Sequence, residues 1–305
     1  MHHHHHGILG HHTTIAIIFA LLSAVAFAVA TVAQQRAASK VTDDEVDSGQ
    51  LIGVLLRRPL WWAGTMGNLG GYLLQAVALG YGSLLIVQPI LITSILFALP
   101  LEARVAKVKL ARQVWIWGTA LVLALAVFVV ISNPSRGLEQ PHTRSWVLLL
   151  LIGGPLVALC VAVGLRRSGA TRSSLLAIAV GFLAGVAALL TKVVVELIQH
   201  GPGEVLTSWE TYALVVVGLG GVYLQQVAFQ AGSLRTSMPI IQVIEPLTAS
   251  VLGALMLEEH LRVGHREVLL LAVATVVMVI ATVQLALGQA EVESEHPVSH
   301  AHLPH

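Results

Sequence analysis

The chain is short of charge. Asp, Glu, Lys and Arg make up 11% of its 305 residues, against about 25% in soluble domains. Apolar residues reach 56% and the mean hydropathy is +0.81. A water-soluble fold has nowhere to put that much apolar surface, so the composition is that of an integral membrane protein. Cysteine occurs once, as Cys160 inside an apolar run. That excludes a disulfide framework and a thiolate metal site, and leaves Cys160 as a small packing residue. No Lys/Arg-rich run with interleaved aromatics is present, so nucleic acid is not an expected partner. No stretch of ten residues alternates apolar and polar side chains, which argues against a transmembrane β-barrel. No Ser/His/Asp or Cys/His set converges and no paired loop acids mark a hydrolytic site, so neither an enzyme nor a cofactor is expected. The net charge of +1 points to no class of partner.

Histidine is plentiful at both ends. MHHHHHG at the start resembles an affinity tag, and His11 and His12 follow it. Residues 1–12 are therefore set aside as a His-rich segment or tag. Residues 13–288 form the membrane domain, and 289–305 read as a disordered, acidic and His-rich tail. Neither end calls for a metal. The loop LEEHLRVGHRE, with Glu258, Glu259, His260 and His265, reads as a solvated helix connection.

About 20 mainly apolar residues cross a bilayer. Nine segments qualify: 14–35, 59–80, 83–103, 113–133, 145–165, 174–198, 208–230, 234–257 and 266–288. Counting Lys and Arg in the connections gives twelve on one side, from Arg36 to Arg235, and four on the other: Arg136, Arg144, Arg262 and Arg266. The positive-inside rule then places the N-terminus outside and the C-terminal tail in the cytoplasm of a multi-pass cell-membrane protein.

One passage occurs twice. LGGYLLQAVALGYGSLLIVQPI runs from Leu69 to Ile90 and LGGVYLQQVAFQAGSLRTSMPI from Leu219 to Ile240, without a gap and with 12 of 22 residues identical. The copies are five helices apart, an odd number, so they lie antiparallel in the membrane. LPLEARV and LMLEEHL extend the match, and Thr31 in the first helix corresponds to Thr191 in the sixth. The expected architecture is all-α, about nine helices in two inverted repeats of five and four: repeat one about 14–165, repeat two about 174–288. Two similar halves of opposite sense can open a site between them to one side and then the other, as secondary transporters do.

These residues resemble the drug/metabolite transporter superfamily. Pro89 with Glu102 and Pro239 with Glu258 occupy the places of the proline and the loop-closing acid in its two halves. AVATVAQQRAA and MPIIQVIEPLTASVLGALMLEE look like an actinobacterial EamA-type branch. The nine helices and outside N-terminus are similar to the NIPA-type magnesium transporters of the same superfamily, whereas EamA-type members have ten helices and a cytoplasmic N-terminus. The resemblance implies transport of a small polar or amphipathic metabolite, in the export direction. The alternatives are a divalent cation such as magnesium, or a non-transporting membrane scaffold. The expected partners are a small-molecule or ion substrate and the lipid bilayer, and a homodimer is compatible.

Polar side chains in the hydrocarbon region are costly and face the bundle interior or a cavity. By that rule Asn68, Gln75, Gln88, Lys192, Gln225, Gln226, Gln242 and Glu245 are the candidates for substrate binding or coupling. Gln75 and Gln225 are equivalent in the repeat and are expected to meet near its interface. Glu245 falls at the middle of the eighth segment. Pro246 cannot donate to the Gln242 carbonyl, so a carboxyl, a freed carbonyl and an amide share one turn. Glu245 is read either as the partner of a buried Lys192 or as a coupling group. Gly70, Gly71, Gly181, Gly185, Gly220 and Gly221 are expected to mark close helix packing.

Overall fold

The computed structural model describes residues 3–38, 59–132, 137–231, 234–261 and 263–294. They form eleven helices: α1 (His3–Ala38), α2 (Pro59–Tyr81), α3 (Leu84–Leu91), α4 (Ser94–Ala106), α5 (Arg112–Ile131), α6 (Thr143–Leu165), α7 (Gly169–His200), α8 (Pro202–Thr207), α9 (Trp209–Ala231), α10 (Leu234–Met256) and α11 (His265–Ser294). All nine apolar segments fall on helices. Among the described residues, seven spans are long and apolar enough to cross a membrane, with α3 and α4 together counting as one. The repeated passage begins on α2 and ends on α3 in its first copy, and begins on α9 and ends on α10 in its second.

The surface is as apolar as the interior. Leu150, Leu219 and Leu269 are each 69% exposed, Leu255 72% and Val130 84%. In water such faces would aggregate; against acyl chains they cost nothing. The core is correspondingly fine-grained. Ala16, Ala20 and Ala24 are fully buried on α1, and Leu79, Leu84, Leu189 and Leu257 close the centre.

Helix α1 packs on α2 and on α3 and α4, while α7 packs on α9 and α10. Across the middle α3 meets α10 and α5 meets α11. Two departures from simple rods matter. The first is the break between α3 and α4. Pro89 has no N–H to offer the carbonyl of Leu85. Four residues on, the Thr93 N–H and hydroxyl both donate to the Ile90 carbonyl, at 2.9 and 2.7 Å. The second is the length of α7. Its 32 residues reach about 48 Å, against a hydrocarbon core of about 30 Å, so its ends stand in the interface.

Small residues set the approach of α7 to α10. A Cβ on Gly185 would stand 2.6 Å from the Thr248 Cβ, and one on Gly181 2.7 Å from the Ile244 Cβ. On α2, a Cβ on Gly71 would meet the Phe27 ring at 2.7 Å. Gly70 and Gly220 do not belong with these. Nothing lies within 4 Å of a Cβ on either, and one on Gly221 would meet only Leu183, at 3.8 Å. Smallness permits close approach on every side of a helix, and these glycines turn away from their neighbours. Gly185→Leu should therefore cost upwards of about 1–3 kcal/mol through overpacking, while Gly220→Leu stays within about 0.5 kcal/mol. Thermal unfolding of the two purified variants compares them directly.

The C-terminal end also differs from expectation. Helix α11 runs on to Ser294, past the Gly288 where a disordered tail was expected to begin. Gln289 is buried and its Nε2 donates to Glu102 Oε1 of α4 at 2.7 Å. The remaining tail residues, with His296, His300, His302 and His305, lie outside the described residues.

Candidate functional site

Helices α2 and α3 meet in a tight turn, and each leaves backbone groups there without intrahelical partners. Ser83 stands at the N-cap of α3 but makes no side-chain cap. Glu259, in the α10–α11 loop, supplies it from 175 residues away. Its Oε1 accepts the Leu84 N–H at 3.1 Å and its Oε2 the Leu85 N–H at 3.2 Å. Lys192 of α7 finishes the other side of the turn. Its Nζ donates to the carbonyls of Leu79 at 3.0 Å and Gly82 at 2.8 Å. The same ammonium lies 3.8 Å from Glu259 Oε1 and 3.9 Å from Glu196 Oε1.

The loop geometry is what turns Glu259 inward. Glu258 adopts a left-handed conformation, φ 54°, and the Leu257 and Glu259 N–H groups both return to the Gly253 carbonyl. Gly253 leaves the room required, since a Cβ there would stand 2.7 Å from Glu259 Oε2. The Leu138 N–H donates to the Leu257 carbonyl at 2.6 Å, which ties the α5–α6 connection to the same end of the bundle. This corrects the expectation of a solvated connection. Glu258 and His260 are exposed, but the Glu259 side chain is 0% exposed. Its burial pushes the carboxyl above the usual glutamate range, while Lys192 and the two backbone N–H groups pull it down and offset only part of that cost.

A cavity of about 230 Å³ opens between α3, α5, α10 and α11. Leu85, Pro89, Phe128, Pro246 and Met278 give it apolar walls, and Gln242 and Ser250 contribute polar groups from α10. Thr275 and Thr282 also line it. Their hydroxyls donate to the carbonyls of Leu271 and Met278 within α11, at 2.8 and 2.7 Å.

The other candidates are dispersed. Glu245 is half-buried on α10, one step round the helix from Gln242 and outside the cavity lining. Its backbone stands level with Gly181 of α7, where an added Cβ would lie 3.3 Å from the Glu245 N. Eleven residues separate Gly181 from Lys192 along α7, about 16 Å, more than the two side chains can bridge. The Glu245–Lys192 pair is thus overturned by the register of α7 against α10. Gln75 is buried on α2 and Gln225 half-buried on α9. No hydrogen bond joins them among the described residues, because α2 packs chiefly on α1 and α9 on α7. Gln88 is buried on α3 with no hydrogen-bond partner for its Nε2 among the described residues. Asn68 is half-buried on α2. Gln226 is on α9, and its side chain lies outside the described residues.

Glu259 is the residue that sequence reasoning missed. Its signal was a second acid directly after the loop-closing Glu258, with a helix start lacking its own cap on the far side of the chain.

Comparison with known proteins finds a relative in Corynebacterium glutamicum, an uncharacterized protein that is 35% identical over 277 residues, covering 89% of this chain and 94% of the relative. No family model matches the chain. No solved structure matches it.

Proposed function

The chain belongs to the family of that Corynebacterium glutamicum protein, and we propose that it is a secondary transporter of the drug/metabolite transporter type. It moves a small polar or amphipathic metabolite outward by alternating access between two inverted halves of five and four helices. The observation that carries this reading is the sequence repeat itself, 12 of 22 residues identical between Leu69–Ile90 and Leu219–Ile240. The only non-glycine residues with positive φ among those described are Lys107, the first residue after α4, and Glu258, the second after α10, so a left-handed residue follows each helix without falling at matched positions of the repeat. The Ser23 hydroxyl of α1 donates to the Gly71 carbonyl at 2.8 Å. Leu183 of α7 lies against Gly221, and these are the counterparts when Thr31 is matched to Thr191 and Gly71 to Gly221.

Two experiments test the reading. Cysteines at Ser168 and Gly203, both exposed at opposite ends of α7, should differ in intact cells. An impermeant thiol reagent should label the Gly203 variant and spare the Ser168 variant. The reverse pattern overturns the outside N-terminus. In proteoliposomes with an imposed pH gradient, a metabolite panel that includes Mg²⁺ should contain a solute whose flux depends on the protein. Movement of Mg²⁺ instead would favour the magnesium alternative, and a silent panel the scaffold.

A further inference from the structure

We propose that the cavity between α3, α5, α10 and α11 binds a neutral amphipathic molecule of about nine heavy atoms, with its one hydrogen-bonding head on Gln242. The inference deepens the transporter reading and rests on it for calling the molecule a substrate. Size comes first. A cavity of about 150 Å³ holds benzene. In proportion, one of about 230 Å³ takes about nine non-hydrogen atoms. The chemistry comes next. No charged side chain lines the cavity, so a charged head would be buried without a partner, at a cost binding could not recover. The two threonines offer the cavity no free donor, because their hydroxyl hydrogens are committed to their own helix. The Gln242 amide forms no hydrogen bond within the described residues, and Pro246 leaves the Gln242 carbonyl without its helical donor. Carbonyl, amide oxygen and amide NH₂ thus converge on one turn and suit a head that both donates and accepts, such as a primary amide or an alcohol. Beyond it Val243, Pro246 and Leu247 form an apolar wall as far as Ser250, about 12 Å along the helix.

The test uses thiol chemistry in phosphatidylcholine nanodiscs, with the native thiol removed by Cys160→Ala. Val243→Cys places a reporter on the cavity wall, and Leu255→Cys, at a position 72% exposed, reports on the lipid-facing surface. Neutral alkyl methanethiosulfonates of increasing length should modify Val243→Cys until the chain fills the cavity. The rate should then fall about tenfold as the cavity is overfilled, whereas Leu255→Cys should show no cut-off. Heptanamide should protect Val243→Cys and heptylammonium should not. Gln242→Leu should remove the protection while leaving the cut-off in place. Absence of a cut-off at Val243→Cys would mean that lipid chains enter freely, and equal protection by the ammonium would mean that the head is not neutral. Either result overturns the proposal, and the cut-off can be read even if Gln242→Leu fails to fold. The labelling needs no transport, so a silent transport panel leaves the site standing, and a missing cut-off leaves the transporter reading standing.

Discussion

Lys192→Met is expected to destabilise the bundle by about 3–5 kcal/mol, the usual cost of stripping one partner from a buried pair. Met keeps the length and apolar stem of the lysine, so the loss reports on the ammonium. Four acceptors are abandoned together: the Leu79 and Gly82 carbonyls and the Glu259 and Glu196 carboxylates. The double variant Lys192→Met/Glu259→Gln should recover much of the loss. The reason lies in Glu259 itself, whose carboxyl is held above its ordinary range because burial outweighs the help from Lys192 and the Leu84 and Leu85 N–H groups. A pair whose desolvation is only partly offset is expensive to break but cheap to delete. The glutamine oxygen can still accept one of the two N–H groups at the start of α3. Thermal or denaturant unfolding in one detergent, across wild type, both single variants and the double, gives the coupling energy of the cycle. A double variant as unstable as the sum of the singles would show that the two residues act independently, and the junction would be a coincidence of two separate caps.

This junction also marks how far the sequence could be read. The helices were legible because each apolar run is long and the breaks between runs are polar; α2, α5 and α6 begin and end within two residues of the segments read for them. Lys192 was legible as a buried cation, since a lysine in an apolar run has few other places to go. Its partner was not, because Glu259 lies in a loop whose neighbours come from α3 and α7, far away in the chain. The glycines show the same limit. Gly181 and Gly185 sit at close approaches and Gly220 does not, although all three stand in apolar helices. Composition says that a backbone can be approached, and only the packing says from which side. The cavity was half legible. Gln242 was read as a candidate on its own helix, but the commitment of the Thr275 and Thr282 hydroxyl hydrogens to their own backbone removes two donors from the lining, and hydroxyl bonding of that kind leaves no mark on the sequence.

Glu245→Gln is expected to abolish gradient-driven transport while leaving the protein folded and monodisperse. The residue lies about 17 Å from either end of α10, where an ionisable side chain is too costly to keep without a use. The structural use first open to it, a pair with Lys192, is closed by the register of α7, because Lys192 stands about 16 Å further along that helix. Among the described residues Glu245 makes no hydrogen bond or ion pair. An acid so placed can take up a proton or a cation on one side and release it on the other, which is what coupling requires. Glutamine keeps the shape and removes the titration. Glu245→Asp keeps the titration and shortens the reach by one methylene, so it should transport more slowly yet retain a pH dependence. The measurement is solute accumulation in proteoliposomes under an imposed pH gradient, over a range of external pH, with melting temperatures recorded alongside. The glutamine variant should melt no lower than wild type, since a carboxyl without a partner contributes no contact to lose. If it accumulates solute at the wild-type rate with the same pH dependence, Glu245 is not the coupling residue, and the search moves to Glu259, the buried acid of the α10–α11 loop beside Lys192.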